Sequence, residues 1–254
     1  MTANNILFLA SHPLTIIIID LNNPDDLITV DLPRPAPEKG QNQSSAKEIP
    51  VIQRLFVDPT ARHLIITTNT GDTFYLAISP GNPAVQSRRP RPLRLRQIIT
   101  AVGWSPISGA GGSGDGGDGN VSKGDAVTPP STDILLGTST GQILSLPLPP
   151  QDDIFKSVAI GSSKTVERDL QHVYTLPDGQ PVTGVAYGFW PRESSGRSKK
   201  EKRAWVVITS KIRVYEMQGN VGTTSAGGKG GGWAEELFKS FRDGAPSMSF
   251  FVWG

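Results

Sequence analysis

A glycine-rich stretch at 109–119 comes closest to a cofactor-binding motif. The spacing Gly-x-Gly-x-x-Gly, which is typical of dinucleotide-binding loops, occurs twice in it, starting at Gly109 and at Gly114. Such a loop binds a pyrophosphate only when a helix follows directly, because the amides of the first helical turn face the phosphate. Here Ser-Lys-Gly-Asp and then Pro129-Pro130 follow, and these residues do not start a helix. The match reflects glycine content, and we predict no cofactor.

Histidines and carboxylates offer few candidates for metal binding or acid–base catalysis. His12, His63 and His172 are distant in sequence and the chain has no Cys, so we place the histidines in turns or at sheet edges. Asp20 and Asp58 each end an apolar run. Such carboxylates act around the channel of propeller hydrolases, whereas a strand-end Asp more commonly caps a turn. We predict no catalytic residue and no metal ligand, and we keep a propeller hydrolase as the alternative.

Two clusters of basic residues are the remaining candidates for a binding site. The first consists of Arg88, Arg89, Arg91, Arg94 and Arg96, and the second of Arg197, Lys199, Lys200, Lys202 and Arg203. In the first cluster Leu93 and Leu95 alternate with arginines, which favours a strand with one charged face.

Three interpretations of the basic clusters stay open. They are solvated sheet edges and loops, contacts with an acidic protein partner or an anionic membrane surface, and nucleic-acid binding. Nucleic acid is the least favoured, because no aromatic residues stand between the basic ones as stacking platforms.

The overall composition is that of a folded protein with little net charge. Of 254 residues, 37% are hydrophobic and 19% are charged, which is enough for an apolar core. The net charge of +2 does not demand a nucleic-acid partner. The longest apolar run, Thr15–Asp20, is far shorter than the roughly 20 residues of a membrane helix. With no signal peptide at the start, we expect a soluble intracellular protein.

The secondary-structure pattern predicts an all-β chain. Its apolar segments are short, rich in Ile, Val, Leu and aromatic residues, and bounded by Gly, Pro, Asn, Asp or Ser. Many are apolar at every position, which is typical of strands covered on both faces. Strands are predicted at Ile6–Ala10, Thr15–Leu21, Ile52–Asp58, His63–Thr68, Thr73–Ile78, Ile98–Trp104, Asp133–Thr138, Gln142–Leu148, His172–Leu176, Val182–Phe189, Ala204–Thr209 and Ile212–Met217. Apolar residues at helical spacing predict one short helix over 233–241.

The strands recur as a unit, which favours a β-propeller. Each unit has an apolar strand that ends at x-Pro, followed by a hairpin, and in two units the hairpin turn reads Thr-Gly. Gly71 and Gly141, at equivalent positions, are 70 residues apart, and about 43 once the insert at 105–131 is removed. A four-stranded propeller blade takes 40–45 residues. About four such blades are present.

The domain prediction is a single β-propeller over 1–254 with flexible inserts. Segments rich in Gly, Pro or charged residues bring no apolar surface to offset the entropy of ordering them. The inserts are predicted at about 34–48, 107–131, 192–203 and 218–232.

The ordered segments, taken in sequence, resemble the deep-orange family, the vacuolar protein sorting-associated protein 18 family of class C tethering complexes. The segments that carry the resemblance are Ile28–Pro33, Leu55–Ile66, Gly71–Leu76, Ala101–Trp104, Ile134–Ile143, Val173–Leu176, Pro181–Gly184 and Ile208–Tyr215.

The resemblance implies a non-enzymatic protein-interaction module. Members of the family carry an N-terminal propeller, then an α-solenoid and a zinc-binding RING, and serve in the HOPS and CORVET complexes that tether endosomal and vacuolar membranes. This chain would then be a propeller fragment, part of a larger ring whose other blades follow Gly254. It would be cytoplasmic and peripheral on late endosome and vacuole membranes, with other complex subunits as partners. No catalytic or ligand-binding residue transfers from the family. A propeller scaffold of another complex is an alternative.

Overall fold

Four antiparallel sheets make up the computed structural model, which describes residues 1–33, 49–78, 90–93, 95, 97–104, 133–148, 170–190, 201–222 and 233–242. Sheet 1 contains β1 (Thr2–Ala3), β2 (Ile6–Ser11), β3 (Thr15–Asp20) and β4 (Asn23–Asp31), and sheet 2 contains β5 (Ile52–Val57), β6 (His63–Thr68), β7 (Thr73–Ala77) and β8 (Arg91–Leu93). Sheet 3 contains β9 (Ile99–Trp104), β10 (Asp133–Thr138), β11 (Gln142–Pro147) and β12 (Gln171–Thr175). Sheet 4 contains β13 (Val182–Phe189), β14 (Glu201–Ser210) and β15 (Val214–Gly222), and one helix, α1 (Trp233–Arg242), follows.

Within each sheet the strands pair in chain order, so every sheet is a meander. A series of such sheets is the architecture of a β-propeller, each sheet being one blade. The all-β propeller fold predicted from the sequence is therefore confirmed. Sheet 4 has three strands rather than four among the described residues.

The same turn joins the second and third strands of sheets 2 and 3. Thr68 Oγ1 and Thr138 Oγ1 each accept the amide N–H four residues further on, at 3.0 and 2.9 Å. Gly71 and Gly141 have φ angles of +87° and +77°, in the left-handed region that only glycine enters without strain. Both Thr-Gly turns predicted from the sequence are therefore confirmed.

Three apolar clusters join the sheets in chain order: sheet 1 to 2, sheet 2 to 3, and sheet 3 to 4 with α1. The first cluster includes Ile16 and Leu64, the second Ile65 and Leu136, and the third Leu135 and Val206. Among the described residues no cluster contains members of both sheet 1 and sheet 4. The described sheets thus form an open series, with one outward face on sheet 1 and one on sheet 4.

The first strands of sheets 3 and 4, β9 and β13, run side by side in the same direction. Near the start of β9, Thr100 Oγ1 donates to the carbonyl oxygen of Val182 in β13 at 2.6 Å. Three residues further along both strands, a Cβ on Gly103 would lie 2.9 Å from Cγ1 of Val185. Only glycine allows this approach, which brings together β9 and β13, the inner strands of sheets 3 and 4.

Helix α1 confirms the helix predicted at 233–241. Its first turn carries two acidic residues, which interact favourably with the helix dipole. Phe238 stacks on Tyr174 of β12, with ring centroids 5.2 Å apart, and Trp233 packs on Tyr187 of β13 at 4.8 Å. The helix also contacts β15, so it covers the outer part of the space between sheets 3 and 4.

Two of the predicted inserts are shorter than the sequence indicated. Residues 201–203 and 218–222, placed in the inserts at 192–203 and 218–232, belong to β14 and β15, where Glu201 pairs with Gly222 and Arg203 with Asn220. Cross-strand hydrogen bonds extend this hairpin through a polar stretch that composition alone assigns to a loop. The remainders of these inserts, and those at 34–48 and 107–131, lie outside the described residues.

Candidate interaction surface

The topology separates the connections between strands into two sets. We define the turn end of sheets 2–4 as the end where β5, β9 and β13 begin, and the insert end as the opposite one. Since the strands are antiparallel, the tight β6–β7, β10–β11 and β14–β15 turns lie at the turn end. The long β7–β8, β9–β10, β11–β12 and β13–β14 connections begin and finish at the insert end.

The structure describes one member of the first basic cluster. Of its arginines, Arg91 lies in β8, is half-buried and pairs with Tyr75, while Arg88, Arg89, Arg94 and Arg96 lie outside the described residues. The strand ends at Leu93, and the amide of Leu95 bonds to the carbonyl of Leu93 at 2.7 Å instead of to β7. Leu95 therefore lies outside a strand, and at this residue the strand predicted from the alternation of Leu and Arg is wrong.

The second basic cluster leads into the extended β14–β15 hairpin at the insert end. Lys202 and Arg203 lie in β14, and Arg197, Lys199 and Lys200 lie outside the described residues. No side-chain position is described for Lys202. Arg203 is exposed, and its side chain is the one in this cluster that the structure describes.

A short chain of hydrogen bonds orients the Arg203 guanidinium. Its Nη2 donates to Oε1 of Gln218 at 3.0 Å, and Nε2 of Gln218 donates to Oε1 of Glu216 at 2.5 Å. The Arg203 carbonyl accepts the amide N–H of Trp190 at 2.9 Å, and Trp190 is 48% exposed. A guanidinium oriented in this way, in a residue whose backbone pairs with that of the exposed Trp190, fits a carboxylate or phosphate on a partner. The sequence did not mark Trp190 because it reads as an ordinary strand end.

Asp58 caps a turn, as its position at a strand end predicts. The residue is fully buried, and its carboxylate accepts the amide N–H of Arg62 at 2.7 Å and that of His63 at 2.8 Å. It also accepts the hydroxyl and the amide N–H of Thr60. These bonds fix the β5–β6 connection and occupy the carboxylate.

His63 is buried at the start of β6, so its predicted place in a turn or at a sheet edge is wrong. Its Nδ1 lies 2.8 Å from the hydroxyl of Tyr75, and Nε2 has no hydrogen-bond partner among the described residues. Burial lowers the pKa of His63, with Asp58 opposing and Arg62 adding to the effect. The ring is therefore neutral at pH 7. His12 and His172 are exposed, in a turn and in an outer strand, as predicted.

A second polar network holds the β14–β15 turn. Ser210 Oγ donates to Oδ2 of Asp178 at 3.0 Å. Hydrogen bonds from Gln180, Tyr215 and Ser210, together with Arg213, lower the pKa of Asp178 against the opposing effect of desolvation. Burial, followed by the Asp178 carboxylate, raises the pKa of Tyr215 to about 12. The network joins the sheet 3–sheet 4 connection to sheet 4.

Two features of the described residues bear on metal and membrane binding. No three His, Asp or Glu side chains in this part of the chain lie close enough together to hold a metal ion. Within the same residues, no helix has the length and apolarity of a membrane span.

Comparison with known proteins identifies the propeller. A model of the Pep3/Vps18/deep orange β-propeller domain matches residues 1–251. The chain belongs to this family. The vacuolar protein sorting-associated protein 18 homolog of Danio rerio is 24% identical over 230 residues, a match that covers 89% of this chain and 19% of the relative. The chain thus spans about a fifth of the length of that relative.

Solved structures show more distant likenesses. The β-propeller domain of Cps50 (Swd1) from Myceliophteria thermophila aligns with a TM-score of 0.41 and 7% identity, over 82% of this chain and 47% of that one. Raptor from Chaetomium thermophilum aligns with a TM-score of 0.28 and 12% identity, over 84% of this chain and 18% of that one.

Proposed function

We propose that this chain is a non-enzymatic protein-interaction module of a HOPS- or CORVET-type complex that tethers endosomal and vacuolar or lysosomal membranes. The observation that carries the proposal is the family match over residues 1–251. Its partners are the other subunits of the complex, and it acts in the cytoplasm, peripherally on late endosomes and vacuoles. Neither nucleic acid nor a small-molecule substrate takes part.

The polar networks support a scaffold rather than a hydrolase. A propeller hydrolase needs carboxylates that are free to act on a substrate. The Asp58 carboxylate is fully engaged within its own turn, and Asp178 bonds to Ser210 and to the amide of Gln180. Both roles are structural, which supports a function of the surface rather than of a catalytic pocket.

Within this role, the two basic clusters contact an acidic partner or an anionic membrane surface. The orientation of Arg203 by Gln218 supports such a contact, because a guanidinium held in place loses less entropy when it binds an anion. Each Lys or Arg near an anionic membrane contributes on the order of 1 kcal/mol. Several such contacts hold a domain weakly, and the other subunits of a complex add avidity.

A chimera tests the tethering role. In zebrafish cells that lack the vacuolar sorting homolog, its propeller region would be replaced by this chain, and delivery of an endocytosed fluorescent tracer to lysosomes would be measured. We expect delivery to be restored relative to the same protein with the propeller deleted. A chimera that is expressed and folded but gives no more delivery than the deletion would contradict the proposal.

Vesicle co-sedimentation tests the basic clusters. The chain should bind vesicles containing phosphatidylserine at low salt and dissociate at high salt, because surface charges are screened. Replacing Arg88, Arg89, Arg91, Lys199 and Lys200 with Ser should abolish binding. A control with the same charge change replaces Lys123, Lys156, Lys164, Lys211 and Lys239 with Ser and should keep most of it. Equal binding by both variants would rule out membrane contact through the clusters and leave the acidic partner.

A further inference from the structure

Two tryptophans and an arginine share one side of sheet 4 at its insert end. The amide N–H of Trp190 donates to the carbonyl oxygen of Arg203 at 2.9 Å. This bond continues the pairing of β13 with β14, in which Gly188 lies opposite Trp205. Side chains of residues opposite each other, or two apart along a strand, lie on the same side of a sheet. We call Trp190, Arg203 and Trp205 the Trp–Arg face.

A glycine leaves room for the indole of Trp205 on this face. A Cβ on Gly188 would lie 2.6 Å from Cζ2 of Trp205 and 2.7 Å from its Nε1, so the ring rests on the glycine backbone. Gly188 precedes Trp190 by two residues in the sequence. The Trp205 indole therefore covers the position of β13 that comes directly before Trp190 on this side. Trp205 is half-buried and Trp190 is exposed, so aromatic surface meets solvent at this end.

The guanidinium on the face is held by residues from the same side of the sheet. Gln218 lies opposite Trp205, and Glu216 lies opposite Val207. Because the Gln218 amide donates to Glu216 through Nε2, its oxygen is directed to Arg203 and accepts from Nη2. Glu216 thus acts on the orientation of Arg203 through Gln218, and the arginine needs no rearrangement of its partner to meet an anion.

The chemistry of the Trp–Arg face fits an anionic lipid surface. Tryptophans settle at the level of lipid headgroups, where the ring leaves water and its N–H stays hydrated. A guanidinium binds a phosphate through two parallel hydrogen bonds. The sequence over 191–203 has six basic and two acidic residues, a net charge of +4. An acidic peptide would use this charge but leave the indole in water, so a lipid surface matches the face better.

We propose that the Trp–Arg face docks on an anionic lipid surface, with Trp190 at the level of the headgroups and the Arg203 guanidinium on a lipid phosphate. The inference rests on the membrane contact proposed above, and it adds an aromatic anchor to the charged residues of the two basic clusters. The anchor gives the contact a defined orientation, because the insert end of sheet 4 then faces the membrane and the turn end points away from it.

Substitutions at Trp190 test the anchor. Trp190→Ser should weaken binding of the 254-residue chain to phosphatidylserine vesicles at low salt roughly tenfold, because an aromatic side chain is no longer removed from water. Trp190→Tyr, which keeps an amphipathic ring, should retain most of the binding. The matched control is Ile212→Ser, which removes a similarly exposed apolar side chain from the β14–β15 turn, at the opposite end of the same sheet. It should leave binding nearly unchanged.

A second pair of variants tests the guanidinium. Arg203→Gln should weaken vesicle binding about fivefold, as expected for one arginine close to an anionic surface. Lys211→Gln removes one charge from the turn at the opposite end and should have little effect. Trp190→Ser and Arg203→Gln should leave the thermal midpoint within about 2 °C of the wild type, because exposed side chains contribute little to stability. Weaker binding then reports on the contact and not on unfolding.

Tryptophan fluorescence shows whether the indole itself reaches the lipid. Vesicles with bromine on their acyl chains should quench the emission of the wild-type chain more than the same vesicles without bromine. Trp190→Tyr should bind the vesicles but lose most of this quenching. Equal quenching of wild type and Trp190→Tyr, or equal binding by Trp190→Ser and Ile212→Ser, would overturn the proposal and leave the basic residues as the membrane contact.

The remaining outcomes separate this inference from the tethering role. A wild-type chain that does not bind the vesicles would also overturn the proposal. Binding to polyglutamate that Trp190→Ser weakens would in that case assign the face to an acidic protein. Either result is compatible with tethering, because the chimera measures delivery to lysosomes by itself. A wild-type chain that binds vesicles through Trp190, in a chimera that restores no delivery, would instead contradict tethering and support the lipid contact.

Discussion

Sheets 2 and 3, in the middle of the series, bury their apolar strands more completely than sheet 1, at one end of it. All six residues of β6 in sheet 2 are buried, and Ile134 to Thr138 of β10 in sheet 3 are buried as well. Strand β3 of sheet 1 contains four consecutive isoleucines, yet only Ile16 and Ile18 are buried, while Ile17 and Ile19 are half-exposed. The difference follows from neighbours, because sheets 2 and 3 are covered on both sides and the described part of sheet 1 on one. A continuous apolar run reveals a strand but not its surroundings.

Side-chain truncation should expose this difference most strongly. Ile66 of β6 is completely buried, and Ile66→Ala should cost about 2–5 kcal/mol in the free energy of unfolding, because it removes apolar contacts and leaves a cavity. The same truncation in sheet 1, Ile19→Ala, should cost about 1 kcal/mol or less, because part of that side chain already faces water. Urea unfolding measures both. Equal losses would mean that the outward face of sheet 1 is covered.

A glycine substitution tests how closely a middle sheet meets a terminal one. A Cβ on Gly137 would clash with Cγ1 of Val182, so Gly137→Ala should overpack the interface and cost about 1–3 kcal/mol. Gly137→Ala combined with Val182→Ala should recover part of the loss, since the second change removes the clashing methyl groups. Chemical denaturation of the single and double variants measures the coupling. No recovery would place the strain elsewhere.

Alkaline pH tests whether the inward face of terminal sheet 4 is as well sealed as a middle sheet. The pKa of Tyr215 is raised to about 12 in the folded chain, mainly by burial, against about 10 when unfolded. A raised pKa contributes stability that is complete below pH 10 and is lost as the pH rises toward 12. Tyr215→Phe should therefore flatten the fall in stability between pH 10 and 12. A variant that loses stability there as steeply as wild type would show that other groups govern the alkaline transition.

The smallest effect is expected from the long connection in sheet 3. Trp104 and Ile134, near its two ends, are paired across the sheet, so a shorter connection still closes. Deleting the glycine-rich residues 109–119 should leave the thermal midpoint nearly unchanged, because loop-closure entropy depends weakly on length. Differential scanning calorimetry would detect a change. A drop as large as that of Ile66→Ala would show that this stretch packs against a sheet.

Most of the fold could be predicted from the sequence, and the missed strands have a common cause. The sequence predicts the apolar strands and the helix, but it does not predict β1, β4 and β8. Strand β4 begins with Asn-Pro-Asp-Asp, and β8 contains Pro92. These three strands lie at the edges of their sheets and pair on one side only, so polar residues and Pro are tolerated there. Their partners β2, β3 and β7 define them, and composition does not show such pairing.

The candidate surface could be predicted only in part. The basic clusters stand out as charge runs, and Arg203 was among them. The hydrogen bonds to Arg203 come from β15, and the neighbouring Trp190 from the end of β13. Spacing along one strand cannot show which residues a second strand brings opposite. The same limit applies to His63, whose Nδ1 meets a hydroxyl from Tyr75 of β7.

The unequal connections at the two ends of the sheets have an evolutionary consequence. A tight turn such as the one closed by Thr68 and Gly71 cannot gain residues without breaking the pairing of its hairpin. At the opposite end, the long connections begin and finish on paired strands, so they can lengthen or change composition while the strands keep their register. New recognition sequences can therefore accumulate at one end of the molecule at little cost to folding. Descendants of a common ancestor would diverge there first and keep the turn end nearly constant.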